Sequence, residues 1–130
     1  MSIEQFKEEL SLVLKQIVSY QHEISNCHEY YLSLEKQLED KKEHNQNPQD
    51  YESLNREIEE LNKEYEAKSD IYFIALNPLL THGYELATKI GHEVAHDYKK
   101  LWDYMTNPIR EEVKLDHVIR DAEYIEKYLS

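Results

Sequence analysis

Apolar residues recur from the start of the chain at alternating steps of three and four: Ile3, Phe6, Leu10, Val13, Ile17, Tyr20, Ile24, Cys27, Tyr31, Leu34, Leu38. That alternation places one narrow apolar stripe along a helix and predicts a left-handed coiled coil. A second run repeats it at Tyr51, Leu54, Ile58, Leu61, Tyr65, Lys68, Tyr72 and Ala75, with Lys68 the one polar intruder. Folding the chain back between Glu43 and Pro48 brings the two stripes together head to tail. Leu38 then faces Leu54, Leu34 faces Ile58, Tyr31 faces Leu61 and Cys27 faces Tyr65. Further along, Ile24 faces Lys68, Tyr20 faces Tyr72 and Ile17 faces Ala75. The pattern predicts an antiparallel helical hairpin over residues 2–76 with its turn near 44–48.

The stripe changes width along the hairpin. Near the turn its flanks are charged, as in Glu39-Asp40-Lys41-Lys42-Glu43 and Glu57 to Glu60, so this end is expected to be a solvated two-helix tip. At the other end the apolar face widens to Leu10, Leu12, Val13, Leu14, Ile17 and Val18, opposite Ile71 to Leu76. A wide stripe asks for burial against more than one helix.

Every proline follows an asparagine: Asn47-Pro48, Asn77-Pro78 and Asn107-Pro108. Asn is a favoured helix N-cap and Pro a favoured first helical residue. The residue before a proline is also pushed away from the α region. Each pair therefore reads as a helix boundary, adding helices over about 78–106 and 108–129. Small residues at four-residue spacing (Gly83, Ala87, Gly91, Ala95) lie on one face of the third helix, as close approach of a neighbour would require. The fourth carries Ile109, Val113, Leu115, Val118, Ile119, Ala122, Ile125 and Leu129. The fold class that follows is all-α: one domain over 1–130, elongated, an antiparallel coiled-coil hairpin packed on two further helices.

Composition narrows this picture. With 2 Gly and 3 Pro in 130 residues, the chain has too few turn formers for a sheet protein. A hydrophobic fraction of 40% and a mean hydropathy of −0.83 suit long helices with a narrow buried face. Cys27 is the single cysteine, so no internal disulfide can form, which fits a reducing compartment. No secretory leader and no membrane span are visible, and the expected location is the cytoplasm.

Charge shapes the expected partners. The net charge of −12 argues against direct nucleic-acid binding and against anionic membrane surfaces. Residues 1–47 carry 9 acids and 5 bases, and residues 48–76 carry 8 and 3, so the first two segments hold most of the excess. A basic protein partner is one reading of that surface; the other is an acidic solvated face that keeps an elongated helix pair soluble.

Candidate chemistry is sparse. His92-Glu93-Val94-Ala95-His96 resembles the H-E-x-x-H helix signature of zincin metallopeptidases. The resemblance implies that His92 and His96 share a zinc ion and that Glu93 polarises the attacking water. It covers those five residues alone. A third ligand would come from Glu111, Glu112, Asp116, His117 or Glu123, and the β-strand that zincins lay beside the helix has no counterpart here. Cys27 reads as a small seam residue rather than a nucleophile, since no basic seam neighbour would lower its pKa. Among the 11 tyrosines, five fall on the seam. Tyr98, Trp102 and Tyr104 cluster near the end of the third helix and are candidate docking anchors, as Trp and Tyr often are. Glu57, Glu60 and Glu64 are the acidic counterpart on the hairpin.

The expected function is binding another protein without catalysis or cofactor, as an adaptor, a chaperone or an acidic inhibitor of a basic partner such as a nucleic-acid-binding enzyme. Two alternatives stand beside it: a small zinc hydrolase using His92, Glu93 and His96, and a self-associating structural coiled coil, a homo-oligomer.

Overall fold

The computed structural model describes residues 2–44, 47–106 and 113–130, with the side chain of Pro48 left aside. These residues are all-α and form four helices: α1 (Ile3–His44), α2 (Pro48–Ile90), α3 (His92–Thr106) and α4 (Leu115–Glu126). Among the described residues there is no strand, and no helix is long and apolar enough to cross a membrane.

Local sequence sets the two starts of the hairpin. At the head of α1, the Ser2 hydroxyl accepts the Gln5 N–H (3.3 Å) while the Gln5 side-chain Oε1 accepts the Ser2 N–H (2.9 Å). This reciprocal capping box satisfies two orphan donors of the first turn. At the head of α2, Asn47 has extended backbone angles and its side chain accepts the Gln49 N–H at 3.1 Å, with Pro48 next in the first turn. The first Asn-Pro pair is thus a helix boundary, as its chemistry dictates.

The second pair is not. α2 runs through Asn77 and Pro78 without a break and ends at Ile90, so the expected helix over 78–106 does not exist as one element. Pro78 removes the N–H that would reach the Ile74 carbonyl, and an interior proline costs about 3 kcal/mol. Burial outweighs it. Leu76, Leu80 and Leu86, on either side of the proline, are at most 2% exposed, and each buried leucine returns about 1.5–3 kcal/mol. Pro78 itself faces solvent. Its replacement by alanine is expected to stabilise the fold by about 1–3 kcal/mol, read as a higher thermal midpoint. An unchanged or lower midpoint would show that the proline shapes α2 in a way the base requires.

The real boundary is Gly91, whose backbone is extended (φ 168°, ψ 167°) between α2 and α3. Its N–H donates to the Ala87 carbonyl and its carbonyl accepts the Ala95 N–H, so one residue closes one helix and opens the next. The small-residue stripe is thereby split, with Gly83 and Ala87 on α2 and Ala95 on α3. The third pair, Asn107-Pro108, lies outside the described residues. α4 starts at Leu115, after Lys114 in extended conformation, so the expected helix over 108–129 is not one continuous element.

α3 folds back along α2, and Tyr98 anchors it: the ring is fully buried and its hydroxyl donates to the Leu80 carbonyl at 2.7 Å. α4 runs along α1 and α3. The Ser11 hydroxyl donates to the Glu126 carboxylate at 2.8 Å near one end. Near the other, the Lys114 N–H donates to the Tyr104 hydroxyl at 2.9 Å. One core results, from Leu10, Val13, Leu14 and Ile17 of α1, Leu76, Leu80 and Leu86 of α2, Val94, Leu101 and Met105 of α3, and Val118, Ala122 and Ile125 of α4. The last two helices thus cover the wide end of the hairpin. They cover only one flank of it, so Leu12 (60% exposed), Ile71 (65%) and Ile74 (71%) face solvent rather than the core, where the widened stripe was expected to bury them.

Candidate functional site

Beyond the base, α1 and α2 continue as a pair without α3 or α4. α4 reaches along α1 from Ser11, at its Glu126 end, to the level of Ile24–His28, where Val113–Asp116 share a cavity with Gln21, Ile24, His28 and Tyr65. Residues 29–44 of α1 extend further, about 24 Å at 1.5 Å per residue. Their partners are the first turns of α2. No described side chain from Leu32 to Lys68 is fully buried. The seam residues Leu34, Leu38, Tyr51, Leu54, Ile58 and Leu61 are half-buried, as a two-helix stripe with no third neighbour among the described residues must be. Residues 29–66 carry 12 acids and 5 bases, a net charge of −7, so more than half of the protein's excess negative charge sits on this arm. Glu57, Glu60 and Glu64 are all exposed on it.

The antiparallel register shows in ring contacts. Tyr20 meets Tyr72 edge to face at 6.4 Å, the pair the heptads align. Nearer the arm, Tyr65 lies 5.8 Å from Tyr31 and 5.7 Å from the His28 ring, and its hydroxyl hydrogen-bonds His28 Nδ1 at 3.2 Å. Tyr30, 60% exposed, stands edge-on to Tyr31. Lys68, the polar intruder, leaves the seam: its ammonium sits 5.4 Å over the Tyr31 ring and 3.5 Å from Glu64. The Tyr31 hydroxyl beside it, with Glu64 adding, holds the ammonium above the usual lysine range. A lysine on a coiled-coil seam is thus accommodated by aiming its charge at a ring face and a carboxylate.

Cys27, on the same seam, is half-buried and free. Burial pushes its thiol above the usual cysteine range, and Lys68 offsets this only in part. A basic seam residue does act on it, contrary to expectation, but desolvation wins and the neutral thiol is favoured. Alkylation by iodoacetamide at pH 8 is expected to be at least about tenfold slower in the folded protein than in urea. Equal rates would show the thiol to be open and unperturbed.

The aromatic candidates near the end of α3 lie elsewhere. Tyr98 is not a docking residue: it is enclosed between α2 and α3, and burial drives its phenol pKa upward. Trp102 is half-buried with its ring 5.4 Å from Tyr84. Tyr104 is half-buried, stacked on His117 at 3.6 Å and 11°, and its hydroxyl holds the Lys114 N–H. Their shared function in the fold is to tie α3 to α2 and α4.

His92, Glu93 and His96 are all exposed in the first turns of α3. Among the described residues no group of three or more His, Cys, Asp or Glu side chains is placed to hold a metal ion. Of the third-ligand candidates, His117 is taken up by Asp121 at 3.1 Å and by the Tyr104 stack, Asp116 and Glu123 are exposed, and Glu111 and Glu112 lie outside the described residues.

Sequence periodicity alone missed three residues. His28 pairs with Tyr65 across the hairpin one step off the seam. Gln21 (2% exposed) and Ser69 (1%) are fully buried polar residues, and the Gln21 amide donates to the Ser25 hydroxyl at 3.3 Å. The signal was present in the seven-residue rows Leu14–Gln21–His28 and Leu76–Ser69–Asn62, which flank the seam on the covered side. No family model, no curated protein and no solved structure matches this chain.

Proposed function

We propose that the protein works by binding another protein through its acidic arm, without catalysis, as an adaptor, a chaperone or an inhibitor of a basic partner. One observation carries this reading: a two-helix arm with a net charge of −7 projects past the base and, among the described residues, adds none that is fully buried beyond Tyr31. Half-buried helix pairs stabilise a domain weakly, so the arm's length is better accounted for by what it contacts. In the inhibitor version, carboxylates such as Glu57, Glu60 and Glu64 would occupy sites that the partner keeps for phosphates.

The test shortens the arm in register. Excising residues 36–42 and 50–56 removes one heptad from each helix and keeps the opposing seam positions aligned. The excised chain is expected to melt as the full chain does while losing the basic proteins that the full chain captures at low salt. Capture of the same proteins by both chains would contradict a function seated in the arm.

A further inference from the structure

The flank of the hairpin that α4 covers does not end where α4 ends. On α1 the row Leu14, Gln21, His28, Glu35 steps by seven; its first two members are buried and its last two are half-open. On α2 the row Leu76, Ser69, Asn62 does the same, with Asn62 exposed. Above the first residues of α4 this flank forms a cleft of about 320 Å³ lined by His28, Leu32, Glu35, Asn62, Tyr65 and Glu66, together with Tyr31. It shares His28 and Tyr65 with the cavity of about 290 Å³ under Val113–Asp116. A continuous track therefore runs from the seat of α4 onto the arm, with an apolar contact, Leu32, left 55% exposed in it.

We propose that this cleft seats an amphipathic helix of a partner protein, laid end to end with α4, whose apolar stripe meets Leu32 and Tyr65 and whose flanking Lys or Arg residues meet Glu35 and Glu66. The helical form follows from continuity: the same flank accepts a helix one step lower. The basic character follows from charge: Glu29, Glu35 and Glu66 frame the track, and the arm as a whole is strongly negative. The molecule already seats one cation this way, in Lys68 over Tyr31 beside Glu64. The same charge disfavours a second copy of the arm in the cleft, since two arms of net −7 would repel. This inference rests on the reading of the arm as the binding element and names what it binds.

The experiment uses the full chain and two synthetic amphipathic peptides of about five helical turns. Both have leucines at i, i+3, i+4 and i+7; one is flanked by Lys and Arg and the other by Glu. Amide spectra of the isotope-labelled protein are followed through each titration. The basic peptide is expected to bind and to shift His28, Leu32, Glu35, Asn62, Tyr65 and Glu66 together, while the Glu-flanked peptide leaves them in place. Leu32→Asp, at an exposed position where folding is checked by circular dichroism, is expected to weaken binding at least about tenfold. The pair Glu35→Lys and Glu66→Lys is expected to move the preference toward the Glu-flanked peptide. The cleft is wrong, with the arm still a binding element, if the basic peptide shifts only residues around Glu57 and Glu60 and ignores Leu32→Asp. Both readings fall if neither peptide perturbs residues 29–66. Concentration-dependent self-association abolished by Leu32→Asp, with no peptide binding, would assign the cleft to a second copy and overturn the proposal.

Discussion

Replacing Tyr98 by alanine is expected to cost about 3–5 kcal/mol of folding stability, the range for truncating a large enclosed aromatic. The ring is fully buried, joins α3 to α2, and sits over Gly83 with no space left between them. A Cβ placed on Gly83 would lie 2.5 Å from Cζ and 2.8 Å from Cε2 of Tyr98, and closer still to the hydroxyl. Such a contact is cheap only where the ring can swing away, and Tyr98, enclosed on all sides, cannot. Gly83→Ala is therefore expected to destabilise the protein by about 2 kcal/mol or more, as overpacking does, despite alanine's better helix propensity. The two substitutions should couple with a change of sign. In the Tyr98→Ala background the added methyl enters the vacated space, and Gly83→Ala becomes neutral or stabilising by up to about 1 kcal/mol. Additive losses in a denaturant-melt cycle would show that Gly83 and Tyr98 do not meet.

Tyr98→Phe separates the hydroxyl from the ring. It removes the bond to the Leu80 carbonyl, which also accepts within α2, and is expected to cost about 1 kcal/mol. The sign of its pH dependence is fixed by burial. The folded phenol has its pKa raised, so the neutral form is the one the fold favours. Its contribution is fully present below the ordinary tyrosine pKa of about 10 and is lost as pH rises beyond it. Tyr128 has the same sign, since its hydrogen bond to Asp97 also raises its pKa. Tyr98→Phe should therefore flatten, without abolishing, the loss of stability above about pH 10.

The second large effect is in hydrogen exchange. Amides of 10–24 and 94–105 belong to helices whose inner faces are fully buried, and they should open only with the whole domain. Amides of 34–44 and 49–62 belong to a helix pair with no fully buried side chain among the described residues and should open locally. Opening free energies range from near zero at frayed ends to the global stability. Protection in the arm is accordingly expected to be at least about a hundredfold below that in the base. Uniform protection along α1 would mean that the arm folds as one unit with the core.

These expectations separate what was legible in the chain from what was not. The heptads of α1 and α2 foretold that the first helix packs against the second, because each stripe is a repeated signal that no single residue can override. Tyr20 meets Tyr72 for that reason. Asn47-Pro48 could be read locally, since nothing apolar nearby opposes a boundary there. Asn77-Pro78 is chemically identical yet lies inside α2, because Leu76 and Leu80 beside it are worth more buried on one continuous helix than the lost bond costs. Gly91, with no proline to mark it, ends α2 instead. For Tyr98, which shares its chemistry with its neighbours Trp102 and Tyr104, the sequence leaves docking and core packing both open; only the meeting of α3 with Gly83 shows it to be interior. The cleft above α4 lay outside the seam pattern altogether. It is made by the flank rows, whose members change from apolar to polar along the hairpin and carry no constant signature.

The base, the arm and the cleft all depend on α1 and α2 closing on each other within one chain. Spin labels at Glu29 and Lys63, outward positions opposite each other near the foot of the arm, test this directly in a Cys27→Ala background. Helices 8–10 Å apart predict a pulsed-resonance distance of about 20–25 Å, unchanged when labelled protein is diluted with an excess of unlabelled protein. A distance on the order of 50 Å, as an opened helix would give, would contradict the hairpin. A short distance that disappears on dilution with unlabelled chains would place the pairing between molecules and contradict the account as directly.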